Sequence, residues 1–450
     1  MAEDENAVVE PSEEISSEVQ VKFFTKQEKF AVPDTVFAVQ GNLAVPGLNS
    51  LINEILKEVS NDDEYKPVQF DFLVAGELLR TTITSFLESK GVSCENVIDV
   101  EYLESTPTPS PLDCILHDDW VAAIDFYKDW ILTGSYDHSI HIWTRRGEHK
   151  LNIPGHGGPV KGVAWLYNDG TDAAFISVST DQTAMLWEWK IESNSIECIH
   201  VCRGHERGLE AVTVSENRQQ FATGGWDTLL KIWSADVSKH RGDENEGEEG
   251  TTSKKRKKEY SSASSRTPLI TLKGHKEAIS AVQWIATDEI LTSSWDHTLK
   301  LWDAELGGMK SEIVGNKSFF DVHYSPLSKL IITASADKQI RLYDPRVRDG
   351  AIVQSTFSSH KEWVQSVRWS PIDSQLFTSA SFDNTVKLWD LRSSKVALFD
   401  MLGHEDKVMC VNWSDYRYIM SGGQDNSVRI FKTKHQPKSA GDAKKSTVSQ

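Results

Sequence analysis

The stretch GHKEAISAVQWIATDEILTSSWDHTLKLWD, residues 274–303, decides the fold of this chain. A Gly-His pair opens it, and the short apolar segment ISAVQW follows. Further along, Trp302 stands six residues after Asp296. Between them the apolar Leu299 and Leu301 alternate with polar residues, which is typical of a strand buried mainly on one face. The stretch therefore predicts short β-strands joined by tight turns.

The same unit recurs along the chain, and this repetition is the strongest signal in the sequence. An aspartate is followed six residues later by an aromatic residue in seven places: Asp137 and Trp143, Asp181 and Trp187, Asp227 and Trp233, Asp296 and Trp302, Asp337 and Tyr343, Asp383 and Trp389, Asp425 and Phe431. Upstream of six of these aspartates, by 20 to 25 residues, stands a histidine: His117, His156, His205, His275, His360 and His404. Asn316 takes that position in the fifth copy. A short strand follows each position, and its third residue is small except for Asp321.

A repeat of this length, with a Gly-His pair and a Trp-Asp-like ending, resembles the WD-repeat family. The resemblance covers residues 112–435 and implies an all-β, seven-bladed WD-repeat propeller with four strands in each blade. In that family the outer strand of the last blade comes from the N-terminal side of the first, which removes an exposed sheet edge. Residues 111–116 are placed to supply that strand.

The resemblance also implies a hydrogen-bonded tetrad in each complete blade, made of the histidine, a serine or threonine, the aspartate and the tryptophan. We interpret the His-Asp pairs as structural rather than catalytic, because they recur once per blade where no common substrate could reach them. The fifth blade, with Asn316 and Tyr343, is expected to have an incomplete tetrad. The residues expected in tetrads are His156, Asp181 and Trp187; His205, Asp227 and Trp233; His275, Asp296 and Trp302; His360, Asp383 and Trp389.

One repeat carries an insertion. Asp227 and Asp296 are 69 residues apart, whereas the other consecutive repeat aspartates are 41 to 46 apart. The additional chain, about residues 236–265, is acidic, then basic, then serine-rich, and is predicted to be disordered. Its basic run predicts a nuclear localisation signal, with an RNA-touching patch or a merely solvated charge run as open alternatives. The run consists of Lys254, Lys255, Arg256, Lys257 and Lys258.

A smaller domain precedes the repeats. Residues 1–18 form an acidic tail that is predicted to be disordered, as are residues 436–450, and the proline-rich residues 105–111 are a linker. Within residues 19–104, three apolar strand patterns and two helix patterns predict a small α+β, ubiquitin-like domain. The segments VKFFT, FDFLVAGELLRTTI and VEYLE resemble the NLE domain, a ubiquitin-like module found before propellers in ribosome-assembly factors.

Composition limits the functions open to the chain. A net charge of −18 argues against nucleic-acid binding by the whole surface, so protein partners are favoured. The acidic N-terminus and the lack of an apolar run of about 18 residues predict a protein that is neither secreted nor membrane-embedded. Five scattered cysteines predict a reducing compartment, with no disulfide framework and no zinc site. No nucleophile, phosphate-loop or metalloprotease motif occurs, so neither catalysis nor a cofactor is expected.

An NLE domain followed by seven WD repeats, with a charged loop in the third, resembles the WD-repeat subunits of PeBoW complexes. The resemblance implies a non-catalytic scaffold of the nucleolus and nucleoplasm, required for maturation of 28S and 5.8S ribosomal RNAs in pre-60S particles. The implied partners are pescadillo, the block-of-proliferation protein and the AAA ATPase midasin, and direct RNA contact stays open. Two alternatives are a Notchless-type assembly factor, which implies eight blades, and a propeller adaptor of a ubiquitin ligase.

Two groups of residues are candidate contacts. In the NLE family an acidic residue in the loop that holds Glu95 completes, in trans, the coordination of a metal in the MIDAS domain of midasin, and a carboxylate suits a hard cation. An ordinary solvated acid is the alternative for Glu95. Aromatic residues precede four of the repeat aspartates and are candidate partner contacts. Packing beneath neighbouring loops is the alternative for these rings, which are Tyr136, Trp226, Trp295 and Phe382.

Overall fold

The computed structural model describes residues 18–60, 65–93, 96–237, 263–347 and 353–434. The chain divides into two compact units after Thr106. In the described ranges, no helix combines the length and the apolar character needed to cross a membrane.

The first unit is a five-stranded mixed sheet with two α-helices. In chain order, its elements are β1 (Glu18–Phe24), a short 3-10 helix (Glu28–Phe30), β2 (Val36–Gln40), α1 (Val45–Ser60), β3 (Phe70–Val74), β4 (Glu77–Leu78), α2 (Ile83–Lys90) and β5 (Ile98–Glu104). The strand order is β2-β1-β5-β3-β4, and β1 and β5 run parallel at its centre. This is the sheet order of a ubiquitin-like fold, so the predicted α+β class is confirmed. Sequence patterns missed β2 and β4, which are the two short edge strands of the sheet.

Helix α1 is joined to the sheet by apolar packing and by two amides. Leu48, Ile52 and Leu56, spaced one turn apart, are buried in the core of the unit. Asn49 exchanges two hydrogen bonds with the backbone of Phe70, at 2.9 and 2.6 Å. Asn53 makes the same pair of bonds to Val68, at 2.8 Å each. Each amide therefore acts like a residue of a neighbouring strand and satisfies backbone groups that would otherwise be unpaired.

The second unit consists of seven sheets, which are the seven blades of a propeller, as predicted. Its strands are β6 (Ser110–Leu116), β7 (Val121–Tyr127), β8 (Trp130–Ser135), β9 (Ser139–Thr144), β10 (His149–Pro154), β11 (Val160–Asn168), β12 (Asp172–Ser179), β13 (Ala184–Lys190), β14 (Ser195–Cys202), β15 (Leu209–Val214), β16 (Gln220–Gly225), β17 (Leu229–Ser234), β18 (Ser264–Arg266), β19 (Ile270–Lys273), β20 (Ile279–Ala286), β21 (Glu289–Ser294), β22 (Thr298–Asp303), β23 (Gly308–Val314), β24 (Phe319–Tyr324), β25 (Ile331–Ser335), β26 (Ile340–Tyr343), β27 (Val353–Phe357), β28 (Val364–Trp369), β29 (Leu376–Ser381), β30 (Val386–Asp390), β31 (Phe399–Met401), β32 (Val408–Asn412), β33 (Tyr418–Gly423) and β34 (Ser427–Lys432).

Four blades take four consecutive strands each, and three blades depart from this pattern. Blade 1 is β7–β10, blade 4 is β20–β23, blade 5 is β24–β27 and blade 6 is β28–β31. Blade 3 is β15, β16, β17 and β19, because the insertion lies between its third and fourth strands. Blade 2 adds β18 to β11–β14, and blade 7 is β32–β34 with β6 as its outer strand.

The ring is closed by the strand that precedes the first blade. Strand β6 pairs antiparallel with β34, so that Ile115 lies opposite Val428 and Pro111 opposite Phe431. This is the predicted closure, although the strand begins at Ser110 rather than at residue 111 or 112. Residues far apart in sequence thus share one blade, and the backbone groups on the outer side of β34 are paired.

The end of the insertion departs from the prediction. We expected no regular structure up to about residue 265, but Ser264–Arg266 forms β18 and pairs parallel with β14 of blade 2. The His200 and Ser264 side chains share a hydrogen bond of 2.5 Å, and Arg266 Nη1 donates to the carbonyl of Ser234 at 2.8 Å. The outer edge of β14 presents free backbone groups, so a nearby extended segment gains hydrogen bonds by adding to it. Composition alone could not reveal this neighbour.

Neighbouring blades are also joined around the central channel. Near the end of four inner strands, a polar side chain accepts a hydrogen bond from a backbone N–H of the next blade. Asp125 accepts from Trp165 at 2.8 Å and Gln283 accepts from Tyr324 at 2.5 Å. The remaining two acceptors are Thr213 and His323. These bonds tie consecutive inner strands where no strand pairing connects the blades.

Candidate functional site

The structure brings the predicted tetrad residues together, as blade 4 shows. His275 Nδ1 lies 2.9 Å from Asp296 Oδ2, and His275 Nε2 lies 2.7 Å from Thr292 Oγ1. Trp302 Nε1 donates to the same Thr292 oxygen at 2.8 Å. A neutral imidazole satisfies this chain, because the indole donates to the hydroxyl, the hydroxyl to Nε2, and Nδ1–H to the carboxylate.

Three more blades repeat the arrangement. The His-to-Asp distances are 2.9 Å in blade 2, 2.7 Å in blade 3 and 2.9 Å in blade 6. Ser177, Thr223 and Ser379 supply the hydroxyl groups, each of which accepts from its tryptophan at 2.8 or 2.9 Å. The other members are His156, Asp181 and Trp187; His205, Asp227 and Trp233; His360, Asp383 and Trp389. These side chains satisfy one another inside each blade, which is a structural role.

The tetrad carboxylates are held in their ionised form. Burial by itself would raise the pKa of Asp296, but the His275 hydrogen bond, the Thr298 hydroxyl and the Lys276 N–H together hold that pKa well below its usual range. Asp181 and Asp383 are shifted in the same direction by the same kinds of contact. Burial lowers the pKa of the histidine partner in blade 3, His205, and Asp227 offsets only part of that effect. The pair in blade 3 is therefore a neutral imidazole hydrogen-bonded to an ionised carboxylate.

The fifth and seventh blades lack a complete tetrad. In blade 5, Arg341 binds Asp337 at 2.6 Å in place of a histidine. In blade 7, His404 contacts Asp425 at 2.9 Å and Ser421 at 2.8 Å. Phe431 takes the place of the tryptophan, and its side chain has no N–H to donate to the Ser421 hydroxyl. The incomplete fifth tetrad is the one that the sequence predicted.

Blade 1 rearranges its tetrad around a second histidine. His141 Nε2 contacts Asp137 Oδ2 at 3.1 Å, a role that the upstream histidine fills in the complete blades. His117 instead lies 3.4 Å from Thr133, and its buried Nδ1 has no hydrogen-bond partner among the residues that the structure describes. Burial lowers the pKa of His117 to about 3, and the charges of His141 and His149 add to the effect. His117 is therefore neutral at physiological pH.

The four predicted contact aromatics lie on the end of the propeller that carries the loops between consecutive blades, here called the GH-loop face. Trp226 is 40% exposed, whereas Tyr136, Trp295 and Phe382 are half-buried. The rings of Trp226 and Trp295 meet edge to face, with their centroids 4.8 Å apart. Because none of the four rings is fully buried, their surfaces remain available to a partner.

An ion pair links these rings across three blades. Lys161 Nζ contacts Tyr136 Oη at 3.0 Å and Glu210 Oε2 at 3.3 Å. Trp226 Nε1 donates to the other oxygen of Glu210 at 2.6 Å. The Lys161 and Glu210 side chains are only 16% and 17% exposed. The network holds the aromatic rings in fixed positions, which lowers the entropy cost of binding.

Sequence reasoning missed three further aromatic residues of this face. Trp120 and Trp363 are 38% and 47% exposed, and each directly precedes the inner strand of its blade. Phe320 lies 5.7 Å from the Trp363 ring, and Trp120 lies 5.1 Å from the Tyr136 ring, both measured between centroids. The position before each inner strand was a usable signal, because it is aromatic in only these two blades.

Two predicted sites fall outside the described residues: Glu95, and the basic run Lys254–Lys258. Val92 and Val97, on either side of the Glu95 loop, are 45% and 46% exposed. In the portion of the chain that the structure covers, no three histidine, cysteine or acidic side chains are placed to hold a metal ion.

Comparison with protein families agrees with this architecture. The NLE (NUC135) domain family matches residues 19–87. The WD domain, G-beta repeat family matches seven segments: residues 112–144, 147–188, 196–234, 266–303, 309–344, 352–390 and 395–432. The fold and these matches define the class of protein: a WD-repeat propeller preceded by an NLE domain.

Individual relatives narrow this class. The chain is 51% identical to a ribosome biogenesis protein WDR12 homolog of Culex quinquefasciatus, over 93% of this chain and 96% of the relative. The WDR12 homologs of Aedes aegypti and Drosophila virilis are each 50% identical, over 93% and 92% of this chain and 96% of each relative. The chain belongs to this family of ribosome biogenesis proteins, which combine an NLE domain with WD repeats.

Proposed function

We propose that this protein is a non-catalytic scaffold in the assembly of the large ribosomal subunit, required for maturation of 28S and 5.8S ribosomal RNAs. The observation that carries the proposal is the near full-length similarity, at about 50% identity, to proteins named for ribosome biogenesis. The seven blades formed by the described residues favour this family over a Notchless-type factor, for which eight are implied. The site of action is the nucleolus and nucleoplasm.

The GH-loop face is the proposed binding surface for the partners, pescadillo and the block-of-proliferation protein, within pre-60S particles. Tyr136 and Trp226 present aromatic surface that the Lys161 and Glu210 network holds in place, and Trp295 packs edge to face on Trp226. Phe382 packs against Trp363, with the ring centroids 6.2 Å apart. Aromatic rings that are already rigid make good interface anchors, because they bury a large area at a small entropy cost. The tetrads, which lie inside the blades, then serve to keep the blades rigid beneath this surface.

The NLE domain is the proposed docking site for midasin. Glu95 would supply a carboxylate oxygen to a metal held in the MIDAS domain of that ATPase, since hard cations favour anionic oxygen. The exposed Val92 and Val97 lie beside the loop and offer apolar contact next to the acidic residue. The metal belongs to the partner, so the proposal needs no metal site in this chain.

Affinity purification of the full-length protein at low salt tests the scaffold proposal. Wild-type protein should recover pre-60S proteins, and replacement of Trp226, Trp295 and Phe382 together by alanine should remove most of that recovery. The control is replacement of the exposed Leu306 by alanine, because Leu306 lies in the turn between β22 and β23 of blade 4 and is not one of the aromatic residues of the GH-loop face. Recovery of ubiquitin-ligase subunits instead would favour the adaptor alternative.

The midasin proposal has its own test in binding of the full-length protein to the isolated MIDAS domain. Glu95→Ala should abolish metal-dependent binding, and Glu95→Asp should weaken it, because the shorter side chain reaches one methylene less. Glu88→Ala, an exposed acid on α2, is the control that should bind normally. Undiminished binding by Glu95→Ala, or binding that does not need metal, would contradict this docking mode.

A further inference from the structure

A cation recurs near the middle of the third strand in five blades, and its neutralisation differs from blade to blade. Lys300 pairs with Glu312 at 2.5 Å, Arg341 with Asp337 at 2.6 Å, and Lys387 with Asp400 at 2.6 Å. Lys231 donates to Thr271 at 3.1 Å. The fifth cation is Arg429 of blade 7. Its guanidinium has no ion pair or hydrogen-bond partner among the described residues, and the Nε atom is buried.

The sequence of the closing strand explains why Arg429 is left unpaired. In blades 4 and 6 the residue directly opposite the cation on the outer strand is an acid, Glu312 or Asp400. In blade 7 that position belongs to Cys114 of β6, whose side chain carries no carboxylate. Asp425, four residues before Arg429, is already bonded to His404. Asp113 of β6 accepts a hydrogen bond from the Cys114 N–H and forms no ion pair with Arg429 in the described residues, so the guanidinium has no carboxylate partner within the blade.

Arg429 lines a groove of about 250 Å³ along β6, whose other lining residues include Leu112, Asp113, Cys114 and Leu402. Leu112 is 50% exposed and Leu402 is 65% exposed. Gly403, whose φ is 140°, lies beside the guanidinium, and a Cβ there would be in van der Waals contact with Arg429 Nη1 at 3.5 Å. The groove therefore combines a cation without an ion-pair partner among the described residues with apolar side chains on either side.

The groove also runs along a sheet edge. Within the described residues, β6 pairs only with β34, so its outer backbone groups have no strand partner. Blade 2 shows that an outer edge of this propeller accepts a further strand, because β18 adds parallel to β14. An extended chain beside β6 would gain backbone hydrogen bonds in the same way, with alternate side chains over the groove.

We propose that this groove binds an extended acidic peptide segment, which adds as a strand to β6 and places a carboxylate on Arg429. Leu112 and Leu402 contact apolar side chains on either side of that carboxylate. A peptide fits better than a nucleic acid, because a strand edge recognises a peptide backbone, which a nucleic acid lacks. The guanidinium and a carboxylate match in geometry and charge.

Binding of fluorescein-labelled peptides to the full-length protein tests this proposal by fluorescence anisotropy. The probes are nine-residue peptides in which valine alternates with serine and the central residue is glutamate, glutamine or lysine. The glutamate peptide should bind about tenfold more tightly than the lysine peptide, as expected for a partly exposed charge pair. Backbone N-methylation of alternate residues in the glutamate peptide should abolish binding, because it removes the donors to β6.

Four variants sharpen the result. Arg429→Gln should lose the preference for glutamate, and Arg429→Lys should keep part of it. Cys114→Glu should also lose the preference for the glutamate peptide, because the new carboxylate lies opposite Arg429 and can pair with it. Thermal unfolding of this variant should show no loss of stability. Lys432→Gln, an exposed cation on the same strand, should bind like wild type.

Three outcomes would overturn the proposal. One is an unchanged glutamate preference in Arg429→Gln, and another is equal binding of the N-methylated peptide. The third is that none of the probe peptides binds. Binding of a short single-stranded RNA that depends on Arg429 would then point to a nucleic-acid ligand instead.

Discussion

Trp226 donates its indole N–H to Glu210 Oε1 at 2.6 Å, and Glu210 in turn holds Lys161 of the neighbouring blade at 3.3 Å. One carboxylate thus fixes an exposed aromatic ring and joins two blades. Burial opposes the charge on Lys161, but Glu210 and Tyr136 together raise its pKa above the ordinary value. The ammonium therefore depends on Glu210 for its compensation.

The first prediction concerns this ion pair. Glu210→Ala should lower the free energy of unfolding by about 2 kcal/mol, because it leaves the mostly buried Lys161 without a counter-charge. The double variant Lys161→Met with Glu210→Leu should lose less than the single variant, since no charge is left buried. Urea unfolding of both variants measures the difference, and a greater loss in the double variant would contradict this account.

The tetrads provide a second prediction with an internal control. His275→Ala should cost about 3 kcal/mol, because Asp296 and Thr292 both lose a buried hydrogen-bond partner. Asn316→Ala, at the equivalent position of blade 5, should cost under about 0.5 kcal/mol, because Arg341 already holds Asp337 there. Equal losses on urea unfolding would show that the tetrad hydrogen bonds do not determine the stability of a blade.

Asp425 predicts a dependence of stability on pH. Burial would raise its pKa, but the His404 hydrogen bond, the attraction of His404 and the Glu405 N–H lower it to about 2. An aspartate in the unfolded chain titrates near pH 4. The stabilising contribution of Asp425 should therefore be fully present above about pH 4 and be lost as the pH falls towards 2.

Urea unfolding of wild type and Asp425→Asn between pH 7 and pH 3 measures this contribution. The difference between the two proteins should be constant from pH 7 to about pH 5 and should shrink below pH 4. A difference that grows as the pH falls would mean that the shift has the opposite sign.

The fourth prediction concerns β18. Removal of residues 238–262 should leave the melting temperature nearly unchanged, whereas removal of residues 238–266 should lower it by a few degrees. The longer deletion removes the pairing with β14 and the bond from Arg266 to Ser234. Differential scanning calorimetry compares the two, and equal melting temperatures would show that β18 contributes nothing to the stability of blade 2.

The basic run gives a fifth prediction. Replacement of Lys254–Lys258 by alanines should reduce nuclear accumulation of a fluorescently tagged protein, because five consecutive cations resemble a nuclear localisation signal. The melting temperature should stay within about one degree of wild type, because five consecutive charged residues are not expected to pack in a hydrophobic core. Normal nuclear entry of the variant would rule out the localisation role.

The sequence by itself determined the number of blades and the composition of most tetrads. Each blade is a local unit, in which the histidine and aspartate lie within 25 residues of each other, so their spacing repeats and can be read directly. The closing role of β6 was implied by the resemblance to the WD-repeat family, and residues 111–116 stood at the position where that family places its closing strand. The α+β class of the first unit followed from apolar periodicity in contiguous segments, whereas the NLE domain was implied by the resemblance of three of those segments to that family.

Only the tertiary structure decided which side chains meet between blades. Lys161 and Glu210 come from different repeats, and so do β14 and β18, so no fixed spacing in the sequence marks either contact. The unpaired state of Arg429 depends on Cys114, which lies more than 300 residues away in the chain. Closure of the ring brings such residues together. A repeat pattern describes the residues that all blades share, and it carries no information on which side chains of neighbouring blades come into contact.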